Sequence, residues 1–519
     1  MKDGLWKNRG NLFVAAMVFM LGLLLVPLPV TAQTLDDSGV RSAPLSAAFL
    51  DYMLKQTPEQ LQMTTGEGPP SGYIPPPLDL SSVNKGPLSS AEQKLMAYPE
   101  KYDLRKEKRV TPVKDQGRCG ACWAFAAMAS LESCLMKDGK PAWNFSEADL
   151  NQNHGFDWRV CQGGNAFMAT AYLARWSGPF TSAAYPYPFI DDGPVLPATP
   201  MGVQKHVQNV IFLPNREMSL DNDAIKWALM DHGAVTVNYF EDNQYYNKKN
   251  SSYYCNDSKP TSHSVAIVGW DDKFSKYKFK TPPDGNGAFI VKNSWGTGFG
   301  DKGYFYMSYY DKSLVTGFVF SQAKPASNFD MAYQYDPYGW VTSIGFDNET
   351  AWMANVFMAS PGAAKIEAVS FYTPEKDCTY ELSIYDDVKF AYDNATSNSP
   401  TNGTKVFTMP TKKKLAYGGY HTVHLGEAVA VTPFKRFSVV VKLTAVNSKE
   451  PIAIECPIHV GGLGSNTFAS GASAAVGQSF VSADPEKKGW KDLTTESDPN
   501  DSIDYLKANV CLKAFGTKK

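Results

Sequence analysis

Asp115 to Phe125 reads DQGRCGACWAF, a glycine-containing loop that runs directly into an alanine-rich apolar segment. Large apolar residues recur at helical spacing from Cys122 to Met136, which predicts a buried helix opening at Cys122. A cysteine in the first turn of a helix faces unsatisfied amides and the positive end of the dipole, which favour its thiolate. A lone cysteine is more often a buried structural residue, so its company decides. Ser262 to Asp272 reads SHSVAIVGWDD, an apolar strand that begins at His263. Gly287 to Trp295 reads GAFIVKNSW, a second strand that ends at Asn293. A thiolate beside a histidine is an activated nucleophile, and an amide on the far side of the ring can orient it.

The surrounding pattern is mixed. Ser146 with Asp149 is similar to a capping box and opens a second helix. A third runs from Asn165 to Ser177 and stops at Gly178-Pro179, and a fourth runs from Asp223 to Asp231. Strands are expected at 234–240, 263–270, 287–293 and 303–310. Helices first and strands later predict an α+β unit with two segregated halves. Beyond about residue 330 the helical signals stop. Phe437, Val439, Val441 and Leu443 alternate with other residues, as do Tyr380, Leu382 and Ile384, which predicts a separable antiparallel β-sandwich.

The N-terminus reads as an address. Lys2, Lys7 and Arg9 precede an apolar run from Leu12 to Val26, and Val30-Thr31-Ala32 supplies small residues for signal-peptide cleavage after Ala32. That run is shorter than the roughly 20 residues needed to span a bilayer. No later stretch is apolar enough, so no transmembrane span is expected after the signal and the protein is placed outside the cell or on its envelope. Residues 33 to 100 are polar and rich in Pro and Gly, and read as a tether, a pro-segment or a strap with little to build a core. The expected organisation is a signal peptide over 1–32, a pro-segment or strap over 33–100, a catalytic domain over 101–327 and a β-sandwich over 328–519.

Of 519 residues 43% are hydrophobic, enough for a sizeable core, and the net charge of -2 favours neither nucleic acid nor an anionic membrane as partner. Export permits disulfides among the eight cysteines, but one catalytic thiol leaves an odd number, so a further free cysteine is expected. No Cys/His spacing suggests a metal site, and no cofactor is implied.

Cys119-Gly120-Ala121-Cys122-Trp123 matches an established signature of the papain family. The resemblance extends from Tyr102 to about Gln322. It implies a two-lobed fold, one lobe helical and one a β-barrel, and peptide hydrolysis through an acyl-enzyme. Carried over residue by residue, it makes Cys122 the nucleophile, His263 the base, Asn293 the orienting amide, Gln116 an oxyanion donor and Trp295 a shield over the His–Asn bond. Cys161-Gln162-Gly163-Gly164 matches the family's Cys-x-Gly-Gly, which implies a Cys119–Cys161 disulfide and backbone contacts from Gly163 and Gly164 to an extended polypeptide substrate. Two adjacent histidines of an occluding loop, used by a carboxydipeptidase branch, are absent, which favours an endopeptidase. The C-terminal region resembles a lectin-like domain of a prokaryotic branch, implying a carbohydrate or cell-surface ligand. Trp340, Trp352 and Trp490 are candidates either for stacking on sugars or for core packing. The competing function is a carbohydrate-binding adhesion protein that carries a protease-like domain.

Overall fold

The computed structural model describes residues 39–55, 72–79, 98–187, 202–362, 364–390, 398–461, 466–497 and 502–518. The expected signal peptide lies outside them. The alanine-rich run is the helix Cys122–Leu135, apolar on nearly every face and buried through its first turns. Ser146 caps the helix Glu147–Asn153 by accepting the Asp149 N–H at 3.0 Å. Asn165 caps Ala166–Ala174, accepting the N–H groups of Phe167 and Met168. The fourth helix spans Asp223–Asp231.

Among the described residues, an eight-stranded sheet has the strand His263–Asp271 at its centre, between Val235–Tyr239 and Ala288–Lys292. All five residues of Ala288–Lys292 are buried, as expected of a strand covered on both faces. The helical half and this sheet form the α+β unit expected from the sequence, and the strand that begins at His263 lies next to the strand that leads into Asn293.

The region after 330 is all β. A seven-stranded sheet contains Thr379–Asp386, Arg436–Thr444 and Thr350–Met358. Its inward residues Phe437, Val439, Val441 and Leu443 share one core with Val369 and Phe371 of a second sheet. That second sheet is continuous across the chain. Lys205–Phe212 and Phe318–Pro325, from the α+β half, pair side by side, and Lys205–Phe212 then pairs with Gly419–Val431. Trp340 is buried against Phe167 and Phe212, so it is a core residue. The core beneath therefore runs from the Cys122 helix to Leu512 without a break.

A chain ended at Ser327 would leave Phe212 and Phe318 without Trp340 and one strand without its neighbour. Uncovered aromatics of this size favour aggregation. Such a chain is expected to precipitate or unfold well below the melting temperature of the full chain, read by differential scanning fluorimetry. Full solubility with an unchanged melting transition would show that the shared sheet contributes nothing to the catalytic half.

Candidate active site

Cys122 opens its helix, with Ala121 as N-cap and no side chain capping the first amides. Its Sγ accepts the Ser264 N–H at 3.5 Å, which sets the thiol beside His263, the preceding residue on the central strand. His263 Nε2 meets Asn293 Oδ1 at 2.9 Å. Nδ1, on the other side of the ring, has no hydrogen-bond partner among the described residues. Trp295 stacks on the imidazole, ring centroids 4.7 Å apart. The structure thus brings Cys122, His263, Asn293 and Trp295 together from one helix, the central strand and the segment that follows its neighbour Ala288–Lys292.

Gln116 lies in the loop before the helix, held from several sides. Its N–H donates to Ser294 O at 2.8 Å, and its Oε1 accepts the Ser294 hydroxyl at 2.6 Å. Its Nε2 donates to Cys119 O at 2.8 Å, and its carbonyl accepts the Tyr187 hydroxyl. The loop is further pinned by a Cys119–Cys161 disulfide. Gly163, two residues after Cys161, has φ of +115°, a conformation open in practice only to glycine. Gly164 lies so close to Trp123 that a Cβ there would enter the indole ring.

A buried ionic cluster behind the site escaped the sequence reading. Glu132, on the Cys122 helix, receives Lys114 at 3.2 Å and the Thr111 hydroxyl at 2.5 Å. Lys114 also reaches Glu147 at 2.6 Å, and Lys292, next to Asn293, donates to Thr111 Oγ1 at 3.1 Å. Burial pushes Lys292 down to about 8 and Glu147 up. The cluster ties the helix that Cys122 opens to the strand that leads into Asn293. The signal was present as a glutamate inside an apolar helix and a lysine at the end of an apolar strand, both needing partners when buried.

The Pro/Gly-rich segment crosses this site. Gly164 N–H donates to Gly72 O at 2.9 Å, and Ile74 N–H donates to Gly164 O at 3.0 Å. Tyr73 N–H reaches Ser262 O at 3.3 Å, and Asn165 Nδ2 reaches Ile74 O at 3.1 Å. The Gly72 backbone contacts the Cys122 thiol. A Cβ on Gly72 would collide with the carbonyl of Gly120. Upstream, Ser46 N–H donates to Pro77 O at 2.7 Å, and the helix Ala47–Lys55 packs Phe49 edge-on against Phe468 of the C-terminal region at 5.5 Å. Phe49, Met53, Ile74 and Leu78 are buried, although this segment was expected to contribute little to a core. Its few apolar residues need no core of their own, because each docks into one already built.

With the strap seated, Cys122 and His263 are both fully buried. Burial pushes the Cys122 thiol up and the His263 imidazole down to about 4, the latter against the bond to Asn293. Burial therefore disfavours the charged thiolate–imidazolium form of the covered pair. Uncovering it restores the solvation that a thiolate–imidazolium pair requires.

Comparison with known proteins agrees with this geometry. Residues 98–318 match the papain family cysteine protease family, and residues 332–516 match the lectin like domain family. A cathepsin L-like peptidase of Aedes aegypti is 33% identical over 229 residues, which cover 43% of this chain and 62% of the relative. Mouse cathepsin S is 32% identical over 225 residues, 41% of this chain and 60% of the relative. The chain thus spans about three fifths of the length of these curated relatives. The crystal structure of the cysteine protease and lectin-like domains of Cwp84, a surface layer associated protein of Clostridium difficile, is 25% identical. It superposes with a TM-score of 0.73 over 93% of this chain and 99% of that one. The clostridial cysteine protease Cwp84 after propeptide cleavage is 26% identical, with a TM-score of 0.68 over 81% of this chain and 99% of that one. The chain thus carries a papain-family cysteine protease domain over residues 98–318 followed by a lectin-like domain over residues 332–516.

Proposed function

We propose that this chain is an exported cysteine endopeptidase that hydrolyses peptide bonds with Cys122 as nucleophile, and that its lectin-like domain takes a carbohydrate or cell-surface ligand. The observation that carries the peptidase reading is the 2.9 Å contact of His263 Nε2 with Asn293 Oδ1, with Nδ1 left to serve the neighbouring thiol. In this reading Nδ1 takes the Sγ proton. The thiolate then attacks the substrate carbonyl carbon, and the carbonyl electron pair moves onto oxygen. The tetrahedral intermediate collapses, the C–N bond breaks, and Nδ1–H protonates the departing amine. A water molecule, deprotonated by the same nitrogen, attacks the thioester and releases the acid and the thiol.

The domain limits proposed are 101–327 for the protease and 328–519 for the lectin-like domain, with the strap within 33–100 as a propeptide that blocks the cleft until it is removed. Occupation of Gly164 and of the thiol by Gly72–Ile74 supports this. Envelope localisation is supported by the surface-layer association stated for the Cwp84 neighbour. No helix among the described residues is long and apolar enough to cross a membrane.

Gln116 supplies the first test. The Gln116 side-chain amide is assigned to the oxyanion as donor, with the Cys122 N–H as its companion. Gln116→Ala and Gln116→Glu are expected to lower kcat about 10²–10³-fold, with KM little changed and the alkylation rate of Cys122 preserved. The Glu variant keeps the acceptor for Ser294 Oγ but loses the donor, so it separates chemistry from loop shape. Normal turnover in Gln116→Glu would remove the side chain from the mechanism.

A further inference from the structure

The outer face of the seven-stranded sheet carries a groove of about 970 Å³ that the proteolytic reading does not use. Its floor follows from strand register. Trp352 pairs with Lys442 and Lys442 with Glu381, so these three side chains form one row across the sheet. Val440, Ser383 and Thr408 form the next row. Alternation sends the neighbours Met353, Val441 and Leu382 into the core and leaves these rows outward. One wall is the loop 484–490, ending in Trp490, which packs on an outer apolar cluster that includes Ala354 and Phe480. The other is Tyr385 with Lys405.

Three properties select the ligand. The charges cancel, since Lys405, Lys442 and Lys488 face Glu381, Asp484 and Glu486, so a polyanion or polycation gains nothing here. Donors and acceptors lie side by side, with Lys442 and Glu381 paired at 3.1 Å and half exposed. Indole faces stand next to these polar groups. A pyranose ring has the complementary form, with an apolar C–H face and a rim of hydroxyls that each donate and accept. An extended peptide is disfavoured, because the groove lies on a sheet face whose backbone groups are already paired across the strands, and strand addition needs an edge.

The wall is also built in advance. Ser482 Oγ donates to Gly489 O at 2.5 Å, and Asp484 Oδ1 accepts the N–H groups of Glu486 and Lys487 at 3.1 and 3.3 Å. A fixed wall removes part of the ordering cost of binding.

We propose that this groove is a binding site for an uncharged oligosaccharide, with Trp352 as stacking platform and Glu381 and Lys442 as hydroxyl partners. The site rests on the reading of the C-terminal domain as a carbohydrate binder and gives that reading a place and a mode. The test uses the full chain carrying Cys122→Ala, titrated calorimetrically with cellotetraose, mannotetraose and chitotetraose. Binding of at least one at a Kd of ~1 mM or tighter is expected. Trp352→Ala and Glu381→Gln should each weaken it about tenfold or more, while the same substitutions in a chain with Cys122 intact leave hydrolysis of a small peptide unchanged. Glu381→Gln keeps the size of an exposed side chain and so answers any concern over folding. Undiminished binding in both variants overturns the groove and leaves a carbohydrate reading in place elsewhere on the domain. No binding of any of the three sugars overturns both, and the peptidase assay reports independently of either result.

Discussion

Cys122→Ala is expected to lower peptide hydrolysis by about 10⁶-fold while the chain stays folded. The substitution removes the one atom that forms the acyl-enzyme, and neither His263 nor Gln116 can replace it. Both remain in place, so the variant should still bind peptides. The structural cost is small. Sγ is a single atom at the start of a helix whose adjoining buried side chains, Trp123, Ala124 and Phe125 among them, are untouched. A cavity of that size costs about 1 kcal/mol. The measurement is the initial rate on a fluorogenic peptide, paired with circular dichroism and a thermal melt. A folded variant with hydrolysis near that of the parent would end the account of Cys122 as nucleophile.

Removing the strap is the second large effect. A segment tethered to its own site acts at an effective concentration of order mM. If the free segment bound with a Kd of order μM, the site would be open only about one part in 10³ of the time. A chain starting at Tyr98 is therefore expected to hydrolyse peptides roughly 10³-fold faster than the full chain carrying an uncut strap. Gly72→Ala gives a graded version without deletion. Its Cβ would collide with the Gly120 carbonyl, so the strap must lift off the thiol, and basal hydrolysis should rise. Strap-free protein that is folded, carries a titratable Cys122 thiol and is no faster than the full chain would show that the strap does not inhibit.

The residues proposed for catalysis each sit at a position that local sequence defines. Cys122 opens an apolar helix, His263 begins an apolar strand, and Asn293 directly follows the next one. Capping by Ser146 was local too, and its helix begins where that side chain predicts, whereas Asn165, expected to open the third helix, instead caps it. The joint between the domains was not legible. Lys205–Phe212 reads KHVQNVIF without clean alternation, and its partner Gly419–Val431 lies more than two hundred positions away. Pairing over such distances leaves no trace in a local window. The strap escaped for a related reason, since Phe49, Met53, Ile74 and Leu78 are too sparse to signal burial unless the grooves that receive them are known. The Lys114–Glu132–Glu147–Lys292 cluster was hidden because its members come from four separate segments. Of the three tryptophans left open between core and ligand, Trp340 is core, whereas Trp352 and Trp490 flank the open groove.

The central claim is that Cys122 is a thiol activated by His263. In a chain freed of its strap, that thiol should differ in kind from its neighbours. Burial pushes Cys134 up to about 11 and Cys378 up to about 12, and Cys255, Cys456 and Cys511 are buried as well. The deciding measurement is peptide mapping by mass spectrometry after the strap-free chain is treated with limiting iodoacetamide, with hydrolysis followed in the same samples. The expected result is modification at Cys122 alone, with activity falling in step with its occupancy and with His263→Ala slowing the labelling. Labelling first at another cysteine, or hydrolysis that persists once Cys122 is fully alkylated, would contradict the account.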